Sequence, residues 1–435
     1  MARAKKGAAL TPEERLQAAL VPDWEWPYKL PENWCWTYLT KAAECLDNFR
    51  KPINATERAG RNGNVPYYGA TGQVGWIDDF LTDEDLVLLG EDGAPFLDLI
   101  KDKAYLITGK AWVNNHAHIL RSLFGDTGNR YLLHYLNSFN YAGYVNGTTR
   151  LKLTRASMDT IPIPLPPLAE QQRIVDRIES LFAKLDEAKE KAQAVVDSFE
   201  TRKAAILHKA FTGELTAKWR EEHGVSIDNW KTTRFDSVAA IRSNLVDPAE
   251  YQSFPHIAPD NIEKKTGVLL EYHTIAEDGV TSGKHRFYSG QILYSKIRPY
   301  LSKAVVVDFD GLCSADMYPI EAYQNARCLW YYMLSDEFLL QASTAGSRSV
   351  LPKINQKELS ALTVHLPTND REQEEIARIL DELFDKEQQT KEAAEVVLDQ
   401  IDLMKKSILA RAFRGELGTN DPSEESAVEL LKQIF

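Results

Sequence analysis

The decapeptide Ile206-Leu207-His208-Lys209-Ala210-Phe211-Thr212-Gly213-Glu214-Leu215 has a close copy at Ile408-Leu409-Ala410-Arg411-Ala412-Phe413-Arg414-Gly415-Glu416-Leu417. These decapeptides end a longer repeat, in which residues 171–215 align without gaps on residues 373–417 at a constant offset of 202. Of the 45 aligned positions, 18 are identical. A duplicated segment of this length indicates an architecture that uses one pattern twice.

Both copies of the repeat have the apolar periodicity of a long helix. Apolar residues recur in steps of four and three, which is the heptad pattern of a coiled-coil seam. The predicted seam consists of Ile174, Ile178, Leu181, Leu185, Ala188, Ala192, Val195 and Phe199 in the first copy, and of Ile376, Leu380, Leu383, Ala394, Val397, Ile401, Met404 and Ile408 in the second. The alternative is a pair of unrelated amphipathic helices on separate domains, but it leaves the shared register unexplained.

The shared register predicts that helix 171–210 packs against helix 373–412. The pair should be antiparallel, because a pseudo-twofold axis would relate the two repeats. At about 1.5 Å per residue, some 40 residues form a rod of about 60 Å. Burial of Leu181 and Leu383 in this seam is part of the prediction.

Two blocks of similar size, residues 23–167 and 223–367, each precede one of the helices. Short apolar runs predict strands at Leu86–Leu89, Ala104–Ile107, Gln291–Tyr294 and Ala304–Val307, and short helices at Tyr131–Leu136 and Leu329–Leu340. The predicted fold class is therefore α+β, with two globular α+β domains separated by two long helices that pair as an antiparallel coiled coil, in an internal pseudo-twofold repeat. The predicted order is an N-terminal helical segment (1–22), a first domain (23–167), a first spacer helix (168–222), a second domain (223–367), a second spacer helix (368–417) and an acidic C-terminal tail (418–435).

Composition and charge narrow the function classes. The chain of 435 residues has 51 basic and 63 acidic side chains, and this net charge of −12 excludes a uniformly basic coat for nucleic acid but not a local basic patch. Its four cysteines form no Cys-x-x-Cys pair, so we expect reduced thiols rather than a zinc ribbon. We find neither a signal peptide nor an apolar run long enough for a membrane span, and we expect a cytoplasmic protein.

Basic residues concentrate in two acid-free stretches, residues 127–158 and 279–307. There they alternate with tyrosines and with Gly-Ser/Thr turns, a combination suited to gripping phosphates and reading base edges. Solvated loops and strand edges explain the same pattern equally well. The candidate DNA-binding residues are Lys110, Asn114, Asn115, His116, Thr148, Arg150, Lys152, Lys284, Arg286, Lys296, Arg298, Lys303, Ser347, Arg348 and Lys353.

No catalytic motif is found. The chain contains no Walker A sequence, no Asn-Pro-Pro-aromatic motif and no glycine-rich loop for a methyl donor. Pro259-Asp260 precedes Glu263 too closely for a nuclease site, and neither His116 nor His118 has an acidic or cysteine neighbour in the sequence, so we assign neither a catalytic residue nor a metal site. Two similar blocks on a paired rod instead indicate a recognition scaffold.

Several motifs give the whole chain a resemblance to the specificity subunits of type I restriction–modification systems. They are the segments Ile161–Ile174, with the sequence IPIPLPPLAEQQRI, Lys209–Trp219, with KAFTGELTAKW, Arg411–Leu417, with RAFRGEL, and Ile292–Leu301, with ILYSKIRPYL. The last of these is similar to a strand and loop in the target-recognition domains of that family. One departure is visible before the second helix, where Leu366–Glu372 lacks the usual Pro-Leu-x-Glu-Gln run, and this predicts a second docking surface that differs in detail from the first.

The resemblance implies a non-catalytic subunit with two target-recognition domains, each of which reads half of a split site in double-stranded DNA. It implies that the coiled coil sets the spacing of the domains and docks two methyltransferase (modification) subunits, which restriction (translocase) subunits join. S-adenosylmethionine, ATP and magnesium then belong to those partners, and this chain has no cofactor of its own. The residues expected in the coiled coil or at partner contacts are Ile174, Ile178, Leu181, Leu185, Phe211, Ile376, Leu380, Leu383 and Phe413.

Two other functions stay open at this point. One is a non-catalytic coiled-coil scaffold whose blocks bind protein or carbohydrate ligands, and such a protein should show no salt-dependent retention on DNA. The other lies within the family, where the chain would serve a system that modifies DNA without restricting it.

Overall fold

A computed structural model describes residues 11–345 and 352–435 of the chain. The chain divides into two compact units. Unit 1 consists of residues 1–192 and 396–435, and unit 2 consists of residues 193–395. Each long helical repeat therefore contributes residues to both units.

Unit 1 is an α+β domain with two four-stranded sheets. Its elements before the first long helix are α1 (Pro12–Ala19), β1 (Cys35–Tyr38), α2 (Leu39–Ala42), β2 (Ala43–Cys45), α3 (Ala55–Ala59), β3 (Val65–Gly69), β4 (Gly72–Ile77), β5 (Thr82–Asp83), β6 (Leu86–Gly90), β7 (Ala104–Ile107), β8 (Lys110–Val113), β9 (Ala117–Ser122), α4 (Gly125–Ser138), α5 (Arg155–Met158) and β10 (Pro162–Leu165). One sheet has the antiparallel order β2-β9-β6-β7, and the other has the order β4-β3-β8-β5 with β3 and β8 parallel. β1 pairs separately with β10.

The first repeat forms α6 (Leu168–Asp197) and α7 (Phe199–Phe211), followed by α8 (Ala217–His223). The sequence predicts one continuous helix here, and the structure breaks it at Ser198. The Ser198 hydroxyl donates to the carbonyl of Ala194 at 2.5 Å. A serine side chain that bonds to the preceding turn competes with the helical ladder, and this accounts for the break.

Unit 2 repeats the topology of unit 1, with one additional edge strand in its second sheet. Its elements are β11 (Trp230–Arg234), β12 (Ala239–Ile241), β13 (Leu245–Val246), β14 (Pro255–Ile257), β15 (His273–Thr274), β16 (Lys284–Phe287), β17 (Ile292–Ser295), β18 (Ala304–Val306), β19 (Gly311–Cys313), β20 (Met317–Ala322), α9 (Ala326–Met333), α10 (Asp336–Ala345), α11 (Gln356–Ala361) and β21 (Thr363–Pro367). One sheet has the order β12-β20-β17-β18 and the other has the order β13-β16-β19-β14-β15, with β14 and β19 parallel. β11 pairs with β21 as β1 does with β10.

The second repeat is a single helix, α12 (Asp370–Ala412), and the chain ends with α13 (Ala427–Lys432). The predicted α+β class, the repeated domains and the long helices are confirmed. The predicted strands are present, and β6 is buried over its whole length as a central strand should be. The predicted helix over Leu329–Leu340 is wrong in one respect, because it is split into α9 and α10 at Ser335, whose hydroxyl accepts the backbone N–H of Phe338 at 3.4 Å.

Ion pairs within each unit show that the two repeats run antiparallel. In unit 1, Lys405 Nζ lies 2.5 Å from Asp186 Oδ1 and Lys189 Nζ lies 3.4 Å from Asp402 Oδ1, so numbers rise along α6 as they fall along α12. In unit 2, Arg202 Nε of α7 lies 2.7 Å from Glu387 Oε2 of α12.

The residues of the predicted seam have two different surroundings. The helix ends belong to the cores of the units, where Ile174, Ile178 and Phe413 are buried in unit 1 and Phe211, Ile376 and Leu380 are buried in unit 2. The cores of the two units thus enclose these six side chains. Leu181, Leu185 and Leu383 are only half-buried, so the prediction that Leu181 and Leu383 are buried is wrong.

The register predicted for the second half of α12 is also wrong. Val397 and Met404 were placed in the seam, but they are 40% and 47% exposed. Ile401 is buried, and Leu398 and Lys405 are half-buried in their place. The steps of four and three are present with the opposite phase, and Lys405 occupies a seam position because its methylene chain can lie along apolar surface.

Residues 418–435 fold back onto unit 1. Arg173 of α6 forms paired hydrogen bonds with the carboxylate of Glu424, at 2.7 and 2.8 Å. Ala427 and Leu431 of α13 are buried with Leu16 of α1, in a cluster that also includes Leu165 of β10. This acidic segment is thus an integral part of the unit.

Candidate nucleic-acid interface

In unit 1, three segments that contain or flank predicted DNA-binding residues lie together. Backbone hydrogen bonds and bridges join the turn 91–93 after β6 to the loop 146–153 and to residues 114–116 after β8. We call these three segments the unit 1 cluster. The fold thus brings together candidates that come from separate parts of the sequence.

Acidic side chains neutralise the cations of the unit 1 cluster. Arg150 Nε lies 2.7 Å from Asp92 Oδ1, and Lys152 Nζ lies 3.1 Å from Glu91 Oε1. Nδ1 of His116 lies 3.5 Å from Oδ2 of Asp92. The acid-free stretch 127–158 does not reveal these two acids, because both come from a turn that is distant in the sequence.

The other candidates of unit 1 differ in accessibility. Asn114 is only 8% exposed, and its Oδ1 accepts the backbone N–H of His116 at 2.8 Å, so it shapes the turn. Asn115 and Thr148 are exposed. Lys110 is exposed at the opposite end of β8, about 13 Å from Asn114 at about 3.3 Å per residue, so the fold does not bring it to the cluster.

Buried contacts of His118 connect β9 to the loop 146–153. His118 is 1% exposed, and its Nδ1 lies 2.7 Å from Asp47 Oδ2 while its Nε2 lies 2.9 Å from the carbonyl oxygen of Leu153. Burial acts to raise the pKa of Asp47, but hydrogen bonds from His118 and from the backbone of Ile119 lower it overall. Cys45 brings a third possible ligand atom within 4.8 Å of the other two residues, but both imidazole nitrogens already contact oxygen atoms of the protein.

In unit 2, the loop after β17 lies against the segment that precedes α11. The Arg298 N–H donates to the Pro352 carbonyl at 2.8 Å, and the Ile354 N–H donates to the Lys296 carbonyl at 2.9 Å. Lys353 Nζ lies 3.1 Å and Lys296 Nζ 3.9 Å from the same Asp316 oxygen. Arg298 is exposed and forms no ion pair within the described residues. We call Lys296, Arg298, Asp316 and Lys353 the unit 2 cluster.

The remaining candidates of unit 2 lie elsewhere. Lys284 is 6% exposed, and its ammonium donates to the hydroxyl and the carbonyl of Ser282, so it has little to offer a ligand. Lys303 donates to the carbonyl of Pro259 at 2.7 Å. Arg286 stands on β16, surrounded by aromatic rings. Ser347 and Arg348 lie outside the described residues.

The two clusters occupy equivalent places with different charge. The Glu91 N–H donates to the His116 carbonyl in unit 1, and the Lys296 N–H donates to the Asp316 carbonyl in unit 2, each just after the central strand of a four-stranded sheet. The unit 2 cluster has three cations and one acid, whereas the ion pairs of the unit 1 cluster balance. An anionic ligand would therefore meet a net positive surface in unit 2 and a compensated one in unit 1.

A separate surface of unit 1 is apolar and exposed. It consists of Val396, Val397, Leu403 and Met404 on α12, which are 53%, 40%, 59% and 47% exposed. These positions recur after seven residues and share one face of the helix. We call them the α12 stripe. Contiguous apolar exposure of this kind is typical of protein-binding surfaces.

Within residues 11–345 and 352–435, none of the helices combines the length and the apolarity that crossing a bilayer demands.

Comparison with protein families gives two matches within the chain. Residues 45–196 and 227–397 both match the type I restriction modification DNA specificity domain. Each match covers most of one globular domain and continues into the long helix that follows it, so the repeat extends over domain and helix together.

Individual relatives agree with this match. The chain is 35% identical over 405 residues to the type I restriction enzyme EcoDI specificity subunit of Escherichia coli, covering 86% of this chain and 89% of the relative. It is 25% identical over 345 residues to the EcoKI specificity subunit of Escherichia coli strain K12, covering 70% of each chain.

Two solved structures share the fold. The HsdS subunit from Thermoanaerobacter tengcongensis superposes with a TM-score of 0.58 at 18% identity, over 90% of this chain and 100% of that chain. A chain from a study of complex assembly and conformational transition in the type I R-M system superposes with a TM-score of 0.62, also at 18% identity and with the same coverage.

Proposed function

Because the chain belongs to the family of type I restriction–modification specificity subunits, we propose that it reads a bipartite site in double-stranded DNA, one half with each unit. The observation that carries the proposal is the repeated position of the two clusters, each beside the central strand of the same sheet in its own unit. Two equivalent surfaces suit two half-sites, and their different side chains suit two different sequences. Base edges are read by such side chains, whereas phosphate contacts set the register.

The ion pairs of the unit 1 cluster support a role of this cluster in reading bases. Arg150 and Lys152 are held by Asp92 and Glu91, which fixes their orientation and lowers the local positive charge. Pre-oriented donors lose less entropy on binding, and a carboxylate can itself accept from the amino group of cytosine. We assign base reading to the unit 1 cluster and stronger phosphate attraction to the unit 2 cluster.

The proposal includes docking of two modification subunits and of restriction subunits, and the α12 stripe supports one of these contacts. Its four apolar side chains do not serve the core of unit 1. The equivalent positions of the first repeat are Ala194, Val195, Thr201 and Arg202, so this stripe is not duplicated. The two modification subunits would then meet surfaces that are not identical.

The proposed complex divides recognition from catalysis. This chain supplies the DNA contacts and the docking surfaces, while the partners supply S-adenosylmethionine, ATP and magnesium. His118, which is buried, and Asp47, which is half-buried, hydrogen-bond to each other beside the loop 146–153.

Mapping of methylated bases tests the proposal. The chain should be reconstituted with its modification subunit, and methylated motifs should be determined on genomic DNA. We expect a two-part motif that disappears when this chain is omitted. Methylation of the same motif by the modification subunit alone would contradict the proposal.

A further inference from the structure

Arg286 of unit 2 has its guanidinium against three aromatic rings. Its guanidinium carbon lies 4.8 Å from the centre of the Tyr288 ring, 5.4 Å from that of Tyr251 and 5.9 Å from that of Phe254. The rings of Tyr251 and Phe254 also pack edge to face, with centroids 5.2 Å apart. We call the three rings the Arg286 cage.

The Arg286 cage holds a cation that has no counter-ion in the part of the chain that the structure describes. Within the described residues, Arg286 forms neither an ion pair nor a side-chain hydrogen bond, whereas several other arginines of unit 2 are ion-paired. Arg220 with Glu372 and Arg242 with Glu321 are examples, each at 2.7 Å. Aromatic faces attract a guanidinium and restrict its rotation without occupying its N–H donors.

The backbone directs Arg286 away from the core. Its neighbours on β16, His285 and Phe287, are buried, and side chains alternate along a strand. Arg286 therefore projects from the opposite face of the sheet. Nε is buried and has no acceptor, while the two terminal nitrogens are not among the enclosed atoms. The guanidinium thus presents one edge to solvent, with two parallel N–H donors.

From this geometry, and resting on the proposed function, we infer that Arg286 reads a guanine in the half-site of unit 2. Guanine presents two acceptors, O6 and N7, in the major groove, and two parallel donors fit them. Adenine has a donor beside N7, so it satisfies only one of the two N–H groups. The Arg286 cage restricts the guanidinium, so that its two N–H donors keep one orientation. A guanidinium with a fixed orientation distinguishes guanine from adenine, whereas a mobile one would adjust to either base.

A phosphate is the other acceptor with two oxygens, but the surroundings favour a base. Phosphate sites combine cations with hydroxyl and backbone N–H donors. Here the ammonium of Lys284, the neighbouring cation on β16, is already bonded to Ser282 and does not add to the positive charge around Arg286 as a free donor. Tyr288 is 43% exposed and offers a flat surface beside the guanidinium edge.

The test is methylation-motif mapping with the reconstituted complex, comparing the unchanged chain with Arg286→Ala and Arg286→Lys. We expect one guanine position in one half-site to become degenerate, with a loss of about 10- to 100-fold in preference for guanine, while all other positions stay the same. Arg286→Lys keeps the charge but lacks the two-pronged edge, so it should relax the same position. Arg242→Ala is the matched control, since it removes an exposed, ion-paired arginine from the same unit.

The possible outcomes separate the inference from the proposed function. If Arg286→Lys retains the full motif and Arg286→Ala weakens all sites alike, Arg286 contacts a phosphate and the inference is wrong. A motif unchanged in both variants, or a change confined to the half-site read by unit 1, would also overturn it. Loss of all DNA-dependent methylation specificity in the unchanged complex would instead contradict the proposed function. Thermal melting of each variant, which should match that of the control, excludes a folding defect as the cause of a changed motif.

Discussion

Two buried glutamates at the starts of the long helices have side-chain pKa values that are shifted in opposite directions. Glu170 and Glu372 are separated by the repeat offset of 202, and both are 0% exposed. Burial raises the pKa of Glu170 despite hydrogen bonds from Thr419 and Arg173. Burial acts in the same direction on Glu372, but its hydrogen bonds, led by that from Arg220, lower the pKa of this carboxyl overall.

We predict that Glu372→Gln destabilises the chain at neutral pH far more than Glu170→Gln does. Removing the Glu372 charge leaves Arg220 buried without its partner, which costs about 3–5 kcal/mol. Because burial raises the pKa of Glu170, folding disfavours its charged form relative to the unfolded chain, and a neutral amide should cost less there than at Glu372. Calorimetric unfolding of both variants measures the difference, and equal losses would contradict the assignment.

The same pair predicts opposite responses to acid. A lowered folded pKa, as at Glu372, gives stability that is present above the unfolded value of about 4.3 and is lost as pH falls further. A raised folded pKa, as at Glu170, has the opposite effect. This group adds stability as pH falls through its folded pKa towards the unfolded value of about 4.3. Unfolding followed between pH 7 and pH 3 should therefore show a smaller acid loss in Glu372→Gln than in the unchanged chain, and a larger one in Glu170→Gln.

Arg298 provides a prediction about the unit 2 cluster. It is exposed, unpaired within the described residues and fixed at φ 48° by a loop that is bonded to Pro352. We expect Arg298→Ala to weaken binding to all DNA sequences alike and to reduce the slope of log affinity against log salt by about 1. Filter binding of the reconstituted complex at several salt concentrations measures both quantities. An altered motif with an unchanged slope would show that Arg298 reads a base.

At the scale of elements, the long helices have two kinds of apolar position. Ile178 lies in the core of unit 1 and is 0% exposed, whereas Leu181, one turn further, is half-buried. We predict that Ile178→Ala costs about 2–5 kcal/mol and Leu181→Ala clearly less, because fewer contacts are lost at a half-buried site. Urea unfolding of the two variants measures the difference, and equal losses would show that the coiled-coil seam is as tightly packed as the core.

The α12 stripe yields a prediction about assembly. Leu403→Glu places a charge on an exposed apolar surface, so it should leave the folding of the chain intact while weakening association with the modification subunit. Co-elution in gel filtration and titration calorimetry measure the association. Ala183→Glu, which places the same charge at an exposed position of α6, is the matched control, and equal binding by both variants would exclude the stripe from the interface.

At the scale of the whole molecule, the chain completes unit 1 with segments from both of its ends. α1 lies with α13, and Glu424 is bonded to Arg173 of α6. We predict that truncation after Leu417 lowers the stability of unit 1 and leaves unit 2 unchanged, because Ala427 and Leu431 no longer cover the cluster around Leu16. Hydrogen exchange followed by mass spectrometry resolves the two units, and uniform loss of protection would contradict this view.

Short-range and repeated patterns were readable from the sequence alone. The 202-residue repeat predicted two long helices, and the apolar runs predicted β6, β7, β17 and β18. Family membership followed from the motifs at the starts and ends of the helices. These features depend on neighbours along the chain or on copied segments, and both are visible without a fold.

The charge state of the candidate surfaces was decided by tertiary structure. Asp92 and Glu91 pair with Arg150 and Lys152, although acid-free stretches had indicated a bare basic loop. Likewise the Arg286 cage assembles rings from two separate segments of the chain. The seam of α12 has the opposite phase, because Ile401 is buried and Leu398 half-buried where Val397 and Met404 are exposed. Whether a side chain is buried, paired or exposed depends on residues that approach it through space, and a pattern along the chain does not contain that information.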